Sequence, residues 1–460
     1  MRDPAFTITS DDLALFTDFY ELTMLQSYFE AGYTKDAVFS LFVRRLPEHR
    51  NFLLACGLAD VLECLELLRF SAEAITYLKS LGKFSDSFLN WLFNFRFEGD
   101  VHAVPEGTPV FANEPILEVV APISQAQVIE TLVMNQIHLQ TLLASKATRV
   151  VKAAAGRAVI DFGARRMHGF DAALRAARAF HIAGVDATSN VLAGERYGVP
   201  VTGTMAHSYI QAFDSEYEAF REFVRCYPKT ILLVDTYDTI EGVKNVIKLA
   251  RELGDKFQVQ GVRLDSGNLT GLAKESRRLL DAAGLDTVGI VASSGLDEYA
   301  IAGLLRNGAP VNGFGVGTSM GVSQDLPALD IAYKLCAYDG EGRLKLSPGK
   351  QTYPGRKQIF RFEKEGEAIY DVISRAEEDL PGRPLLKPVM QGGKRLLDVP
   401  QNLDEIRSFA QEQIEILPKT INSIDRPPEP YPVHVSDRLD GYRNEVIAKL
   451  QQETPRGSSS

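Results

Sequence analysis

The sequence predicts an α/β chain: a (β/α) barrel domain packed against a mixed α/β domain built from both ends of the chain. Three observations carry this. From about residue 157 to 338, apolar strand-like runs end in polar clusters and are followed by amphipathic helix-like runs. These recur at the ~20–30-residue spacing of one βα unit. Seven such strand ends follow one another, which favours a closed barrel over the alternative of an open doubly wound sheet. Outside this region the pattern changes. Short alternating runs punctuated by Gly and Pro occur at 97–120, and strands resume near Ile369.

In chain order, M-R-D-P-A-F-T has no basic region followed by an apolar one, so no signal peptide is expected. From Asp18, the apolar residues Phe19, Leu22, Leu25 and Phe29 recur at helical spacing. Thr17 or Asp18 is the expected cap, with Glu21 completing a capping box. Tyr20 lies off the apolar stripe, as a surface or interface tyrosine would. Residues 37–46 read as a buried strand ending in Arg44 and Arg45, which could face a phosphate or solvent. Residues 57–95 read as mainly helical and 97–120 as a small antiparallel sheet. Residues 124–155 return to helix, with S-Q-A-Q as the start and Gly156 as the stop. After Asp339 a basic, turn-rich segment (341–362) leads into further strands. The expected divisions are 1–125, 126–338 for the barrel, 339–437 returning to the first domain, and 438–460 as a helix with a disordered tail, Q-Q-E-T-P-R-G-S-S-S.

Bulk properties narrow the function. A chain of 460 residues can bury a large core in two or three domains. The net charge of −10 argues against nucleic acid or an anionic membrane as main partner, while leaving room for a local basic pocket. Cys56, Cys64, Cys226 and Cys336 are scattered without a C-x-x-C pair, as expected in a reducing compartment and not for a structural zinc. No apolar run reaches the ~18 residues of a membrane span, so a cytoplasmic location is expected.

The seven strand ends are D-F-G-A-R-R from Asp161, D-A-T-S-N from Asp186, G-T-M-A-H-S to Ser208, V-D-T-Y-D from Val234, V-R-L-D-S-G from Val262, A-S-S-G from Ala292 and G-V-G-T-S from Gly315. Barrel enzymes build their sites where strands end. Arginines grip phosphate or carboxylate bidentately. Backbone N–H groups of G-V-G-T-S, opening a helix, can cradle a phosphate. Asp265 can accept from ribose hydroxyls or help hold Mg²⁺. Singly, each feature has an ordinary structural explanation: a Gly-rich turn is only a turn, Asp235 or Asp238 is an N-cap, Arg165 or Arg166 is a surface ion pair, and His207 is a core histidine at a strand end. Their concentration at successive strand ends suits a polyanionic, sugar-containing ligand. Small neighbours (Gly203, Thr204, Ala206, Ser208) leave His207 room for a phosphate. A helix from about Tyr209 to Phe223 would offer that phosphate free N–H groups, and Asp186 or Asp235 could orient the ring.

Taken together, T-D-F-Y-E-L-T-M, D-F-G-A-R-R, D-A-T-S-N-V-L-A, G-T-M-A-H-S, V-D-T-Y-D, V-R-L-D-S-G, G-V-G-T-S and P-G-R-K-Q resemble the nicotinate phosphoribosyltransferases, in the family's order from about Asp18 to near Ser436. The resemblance implies the irregular barrel and mixed α/β domain of type II phosphoribosyltransferases. It implies transfer of phosphoribosyl from phosphoribosyl pyrophosphate to nicotinate, with ATP as co-substrate and Mg²⁺. His207 matches the histidine that ATP phosphorylates. Tyr20 matches a tyrosine that meets the pyridine ring from the partner subunit of a homodimer. Thr204 and Arg263 match residues near nicotinate, Arg165 the arginine at the pyrophosphate and ring end, and Thr318 with Gly315 and Gly317 the 5-phosphate turn. Asp186, Asp235 and Asp265 match acidic residues of the site. The alternative within the class is a nicotinamide phosphoribosyltransferase, against which D-A-T-S-N-V and the short N-terminal motif count. An aldolase-like barrel would need a lysine or metal ligands at strand ends, and none of the seven carries a lysine. A non-catalytic scaffold would show degraded strand ends, and these are intact.

Overall fold

The computed structural model describes residues 9–347, 352–400 and 402–453. Residues 1–8, part of the basic turn and residues 454–460 of the tail lie outside the described residues, while Gln451 to Glu453 continue the helix Asp437–Glu453. Contacts divide the chain into two compact units. One is formed by the chain up to Leu142 and from Ala328 onward, the other by Leu143–Pro327. The parallel unit thus begins and ends inside the span 126–338. Ile331–Tyr338, read as part of the barrel, instead pairs antiparallel with Asp36–Val43.

In the first unit, a seven-stranded sheet runs in the order Glu341–Gly342, Ile331–Tyr338, Asp36–Val43, Pro115–Pro122, Asp100–Ala103, Lys387–Gln391, Lys394–Arg395. Asp36–Val43 lies inside it and is buried from Ala37 onward, so both of its faces are apolar and it reads as a continuous run. Arg44 and Arg45 follow and both turn to Asp330, at 3.6 and 3.3 Å. A four-stranded sheet, Arg383–Pro384, Lys357–Lys364, Glu367–Arg375 and Val433–Val435, buries Arg361 against Asp371 at 2.7 Å. Tyr431 Oη donates to the same carboxylate at 3.0 Å, so the buried charge is paired and bonded. Lys357 of P-G-R-K-Q is likewise buried, 2.9 Å from Glu118.

The second unit holds six parallel strands in the order Ala187–Thr188, Ala158–Asp161, Gly313–Val316, Gly289–Ala292, Gly261–Leu264, Ile231–Leu233. Val201 joins the outer edge by one parallel bridge to Thr188. Numbered along the chain, the row reads third, second, first, seventh, sixth, fifth, fourth, which is a barrel's cyclic order. No pairing joins Val201 to Ile231–Leu233 among the described residues. The sheet is therefore a curled half-barrel and not the closed barrel that the periodicity favours. The helices that follow start at side-chain caps from Asn190, Ser215, Asp238, Asn268 and Asp297. The single helix expected from Tyr209 to Phe223 is two, His207–Gln211 and Glu216–Cys226, because Ser215 caps the second.

Near the start of the chain, the helix Phe19–Glu30 has Asp18 as its N-cap, without a side-chain bond. Glu21 forms no capping box. It is wholly buried and accepts from the hydroxyls of Thr17 and of Thr131, the latter at 2.9 Å. Burial above all pushes its carboxyl up to about 7, against the pull of those two hydroxyls and with a further push from Glu130 and Asp18. The folded state therefore holds this proton more tightly than the unfolded chain, whose glutamates titrate near ~4.3. The stabilisation is complete below that value and is lost as pH rises through about 7. Denaturant unfolding at a series of pH values should show Glu21→Gln losing less stability than the parent chain between about pH 5 and about pH 8. Parallel curves for the two chains would rule this assignment out.

Candidate active site

The carboxyl ends of the parallel strands are the end at which α/β folds place their chemistry. Asp161 ends its strand fully buried. Its carboxylate accepts from Gly163 N–H and Thr188 Oγ1, both at 2.8 Å, and burial pushes its pKa up despite these bonds. It thereby fastens the D-F-G-A-R-R turn to the neighbouring D-A-T-S-N segment. The turn presents Phe162, Arg165 and Arg166. Arg166 Nη1 donates to Thr318 Oγ1 at 3.2 Å, and Arg165 is exposed.

Arg263, within Gly261–Leu264, reaches across to the segment that follows Val201. Its Nη1 donates to Thr204 Oγ1 at 2.6 Å and its Nη2 to Met205 O at 3.4 Å, with the guanidinium 5.7 Å from the Phe162 ring centroid. Its Nε is buried without a hydrogen-bond partner. Burial holds its pKa below the usual arginine range; Asp265 and Asp235 oppose this, and the Arg165 charge adds to it.

His207 opens the short helix His207–Gln211. Its Nδ1 lies 3.1 Å from Thr236 Oγ1 and its Nε2 lies 3.7 Å from Asp265 Oδ2. Asp265 Oδ1 accepts from Ser293 Oγ at 2.5 Å. Asp235 Oδ2 accepts from Asp265 N–H at 2.8 Å and Ser266 Oγ at 2.6 Å, while its Oδ1 is buried without a partner. The carboxylate that faces the ring is thus Asp265, not Asp235 or Asp186. Asp235 instead shapes the loop that carries Asp265, and Asp238 is the helix cap that its position allowed.

Asp186 is not brought to this cluster. Its carboxylate accepts from Val159 N–H and its own N–H donates to Val159 O, both at 2.9 Å. Val159 is the second residue of its strand, so Asp186 fastens the strand starts, away from the carboxyl ends. Gly315 also has a role other than the expected phosphate turn. A Cβ there would stand 2.6 Å from two atoms of the Phe162 ring, so glycine is what lets that ring pack beneath the strand. Gly317 precedes the short helix Thr318–Gly321 that Thr318 opens. Tyr20 belongs to the first unit and is about half exposed. Phe162, Thr236, Ser266 and Ser293 were not singled out from the sequence, although each lies inside a motif quoted above, and Arg166 was weighed there as a surface ion pair. Only their position at a strand end signals them.

A curled parallel sheet whose strand ends converge on one histidine, a bridging arginine and two linked aspartates defines an α/β enzyme with a site for an anionic ligand. Family models match in order: the nicotinate phosphoribosyltransferase N-terminal domain over residues 15–138, the nicotinate phosphoribosyltransferase family over 158–345, and its C-terminal domain over 382–442. The chain is 55% identical to the nicotinate phosphoribosyltransferase pncB2 of Mycobacterium tuberculosis, over 93% of this chain and 92% of that one. It is 36% identical to the nicotinate phosphoribosyltransferase of Bacillus subtilis, over 96% and 98%. The crystal structure of human nicotinic acid phosphoribosyltransferase superposes with a TM-score of 0.84 at 29% identity, covering 93% of this chain and 99% of that one. The chain belongs to the nicotinate phosphoribosyltransferase family.

The Gly315 contact gives a prediction. Gly315→Ala should displace the Phe162 ring, lower stability by about 1–3 kcal/mol and disturb Arg263. Thermal unfolding with a paired activity assay checks this, and an alanine variant with the parent's melting temperature and rate would show that the ring is not held as described.

Proposed function

We propose that the chain transfers the phosphoribosyl group of phosphoribosyl pyrophosphate to nicotinate. The products are nicotinate mononucleotide and pyrophosphate, in NAD salvage. We further propose that ATP drives the transfer by phosphorylating His207. The observation that carries this is the His207 ring held between Thr236 and Asp265, beside the Arg263–Thr204 bridge. In this reading Arg263 takes the nicotinate carboxylate, its planar fork already oriented by Thr204 and Met205 O. Thr318 and Arg166 take the 5-phosphate, and Arg165 the pyrophosphate. The transition state resembles an oxocarbenium ion, and cationic groups act where charge grows on the leaving pyrophosphate. The sheet acts as an irregular barrel completed by these side chains.

Asp265 beside Nε2 favours the ring proton there and leaves the Nδ1 lone pair as nucleophile. Nδ1 attacks the γ-phosphorus of ATP, the bond to the β-phosphate oxygen breaks, and ADP leaves with the electron pair. Water later cleaves the N–P bond to give inorganic phosphate. Among the described residues, no group of three or more His, Cys, Asp or Glu could hold a metal ion. Asp235 Oδ1, buried and unpartnered, and Asp265 are oxygens that fit a Mg²⁺ ion whose other ligands are substrate phosphates. Bound there, Mg²⁺ would offset phosphate charge. No helix is long and apolar enough to cross a membrane among the described residues, and a cytoplasmic enzyme is proposed.

ATP labelled at the γ-phosphate should label His207 through an acid-labile, base-stable bond. His207→Asn should abolish both the label and ATP stimulation while retaining slow transfer without ATP. A labelled Asn variant, or one that folds and is still fully stimulated by ATP, would show the histidine to be structural.

The proposed homodimer shares its sites through Tyr20. Its ring is about half exposed, and its phenol is pushed up to about 12, by burial first and then by Glu130, Glu21 and Asp18, so it stays neutral at working pH. Mixing Tyr20→Ala and His207→Ala chains, each lacking ATP-stimulated activity, under subunit exchange should restore part of that activity. A fully exchanged, inactive heterodimer would exclude sharing.

A further inference from the structure

We propose that Ser293 is a positioning residue for the phosphorylation of His207, acting through Asp265; this rests on the phosphohistidine reading above. Ser293 follows the strand Gly289–Ala292 and is 3% exposed. Its backbone N–H donates to Leu264 O at 2.8 Å, carrying the ladder one residue past the strand. Its Oγ donates to Asp265 Oδ1 at 2.5 Å and lies 3.4 Å from Leu264 O. The hydroxyl is therefore set by a backbone that cannot shift without breaking the sheet.

The consequence falls on Asp265. The terminal torsion of an aspartate is broad and roughly two-fold, so a carboxylate tied at only one point can present either edge to a neighbour. With Oδ1 held by Ser293 and the Asp265 N–H held by Asp235 Oδ2, the remaining oxygen Oδ2 is directed to His207 Nε2, at 3.7 Å. In this proposal the nearby carboxylate favours the ring proton on Nε2, and Nδ1, 3.1 Å from Thr236 Oγ1, exchanges that hydroxyl for the phosphoryl group. Ser293 touches neither the ring nor the reacting phosphorus. Its effect is on which ring nitrogen is available, and on how often.

Space beside it explains the residue type. A Cβ on Gly315 would stand 3.2 Å from Ser293 Cβ, so the position is closely packed and takes a small side chain. Alanine fits but cannot donate. Cysteine is close in size and is a weaker donor.

The test uses the intact chain and ATP labelled at the γ-phosphate. The parent chain should label at Nδ1 alone, as read by the ³¹P chemical shift of the phosphohistidine. Ser293→Ala should fold with the parent's circular dichroism, form phosphohistidine about tenfold more slowly, and yield a mixture of Nδ1 and Nε2 isomers, as expected for a lost hydrogen bond to a charged group. Ser293→Cys should fall between the two and keeps the experiment decisive if the alanine chain misfolds. A parent chain that takes no label would remove the phosphohistidine reading and this proposal with it. A parent chain that labels while Ser293→Ala labels at the same rate and at the same nitrogen would overturn the proposal and leave that reading intact. Slower labelling with an unchanged isomer would mean a general structural defect and would likewise overturn it.

Discussion

The site depends on a parallel ladder that stops one pairing short of closure. Six strands and the Val201 bridge follow a barrel's cyclic order, yet Val201 and Ile231–Leu233 do not pair among the described residues. In a closed ladder, backbone groups would join these edges and inward side chains would fill the interior. Here side chains join them instead. His207, after Val201, meets Thr236, after Ile231–Leu233, and Arg263 of the next strand in reaches Thr204 and Met205 O. The residues that link the two edges are the residues proposed to bind substrate and accept phosphate. A change that weakens this link acts on fold and chemistry together.

Four aspartates near the strands show how contacts, not residue type, assign roles. Asp161 and Asp235 each spend oxygens on backbone N–H and hydroxyl donors, and so hold loops in place. Asp186 accepts from the Val159 backbone N–H at the strand starts. Only Asp265 turns an oxygen to the histidine ring, and it does so because its other oxygen and its N–H are already engaged. Hydrogen bonds to charged groups contribute roughly 1.5–3 kcal/mol each, enough to fix such a side chain in one orientation. Precision at His207 therefore comes from residues one contact removed from it.

Much of this was legible in the sequence. Strands buried in a parallel sheet read as apolar runs, and the polar clusters that end them mark the carboxyl face. His207, Asp265 and the lone arginine Arg263 stood out this way, while the roles expected of Thr204, Arg263 and Thr318 came from the family resemblance. Closure was not legible, because periodicity counts strands and says nothing of the ladder, and Val201 contributes only one bridge. Asp186 was misplaced because its strand is two residues long, so polar residues before and after it look alike in sequence. Glu21 matched a capping-box spacing, but its burial against Thr17 and Thr131 is tertiary. Gly315 looked like a phosphate turn, and the ring that needs its missing Cβ lies on another strand's end. Ser293 and Thr236 carry common hydroxyls whose partners lie about 30 residues away in chain order, the span of a βα unit.

The charge balance shows how an acidic chain can present a site for polyanions. A net charge of −10 sets a repulsive background, but exposed charges are screened beyond ~8 Å at physiological salt, so local groups decide. The two ends of the site then differ. Arg165 and Arg166 are exposed on their turn, so in the proposed function they offer phosphate a screened, adjustable surface. Arg263 is largely buried, partnered by neutral oxygens, and balanced between burial and the nearby Asp235 and Asp265. Its position is set within the fold, so in the proposed function it discriminates by geometry where the exposed pair discriminates mainly by charge. A flat ring acid and a flexible sugar phosphate place opposite demands on a binding site. In the proposed function, the half-barrel meets them by burying one cationic group, Arg263, beside the gap of its ladder and leaving Arg165 and Arg166 on a loop at its rim.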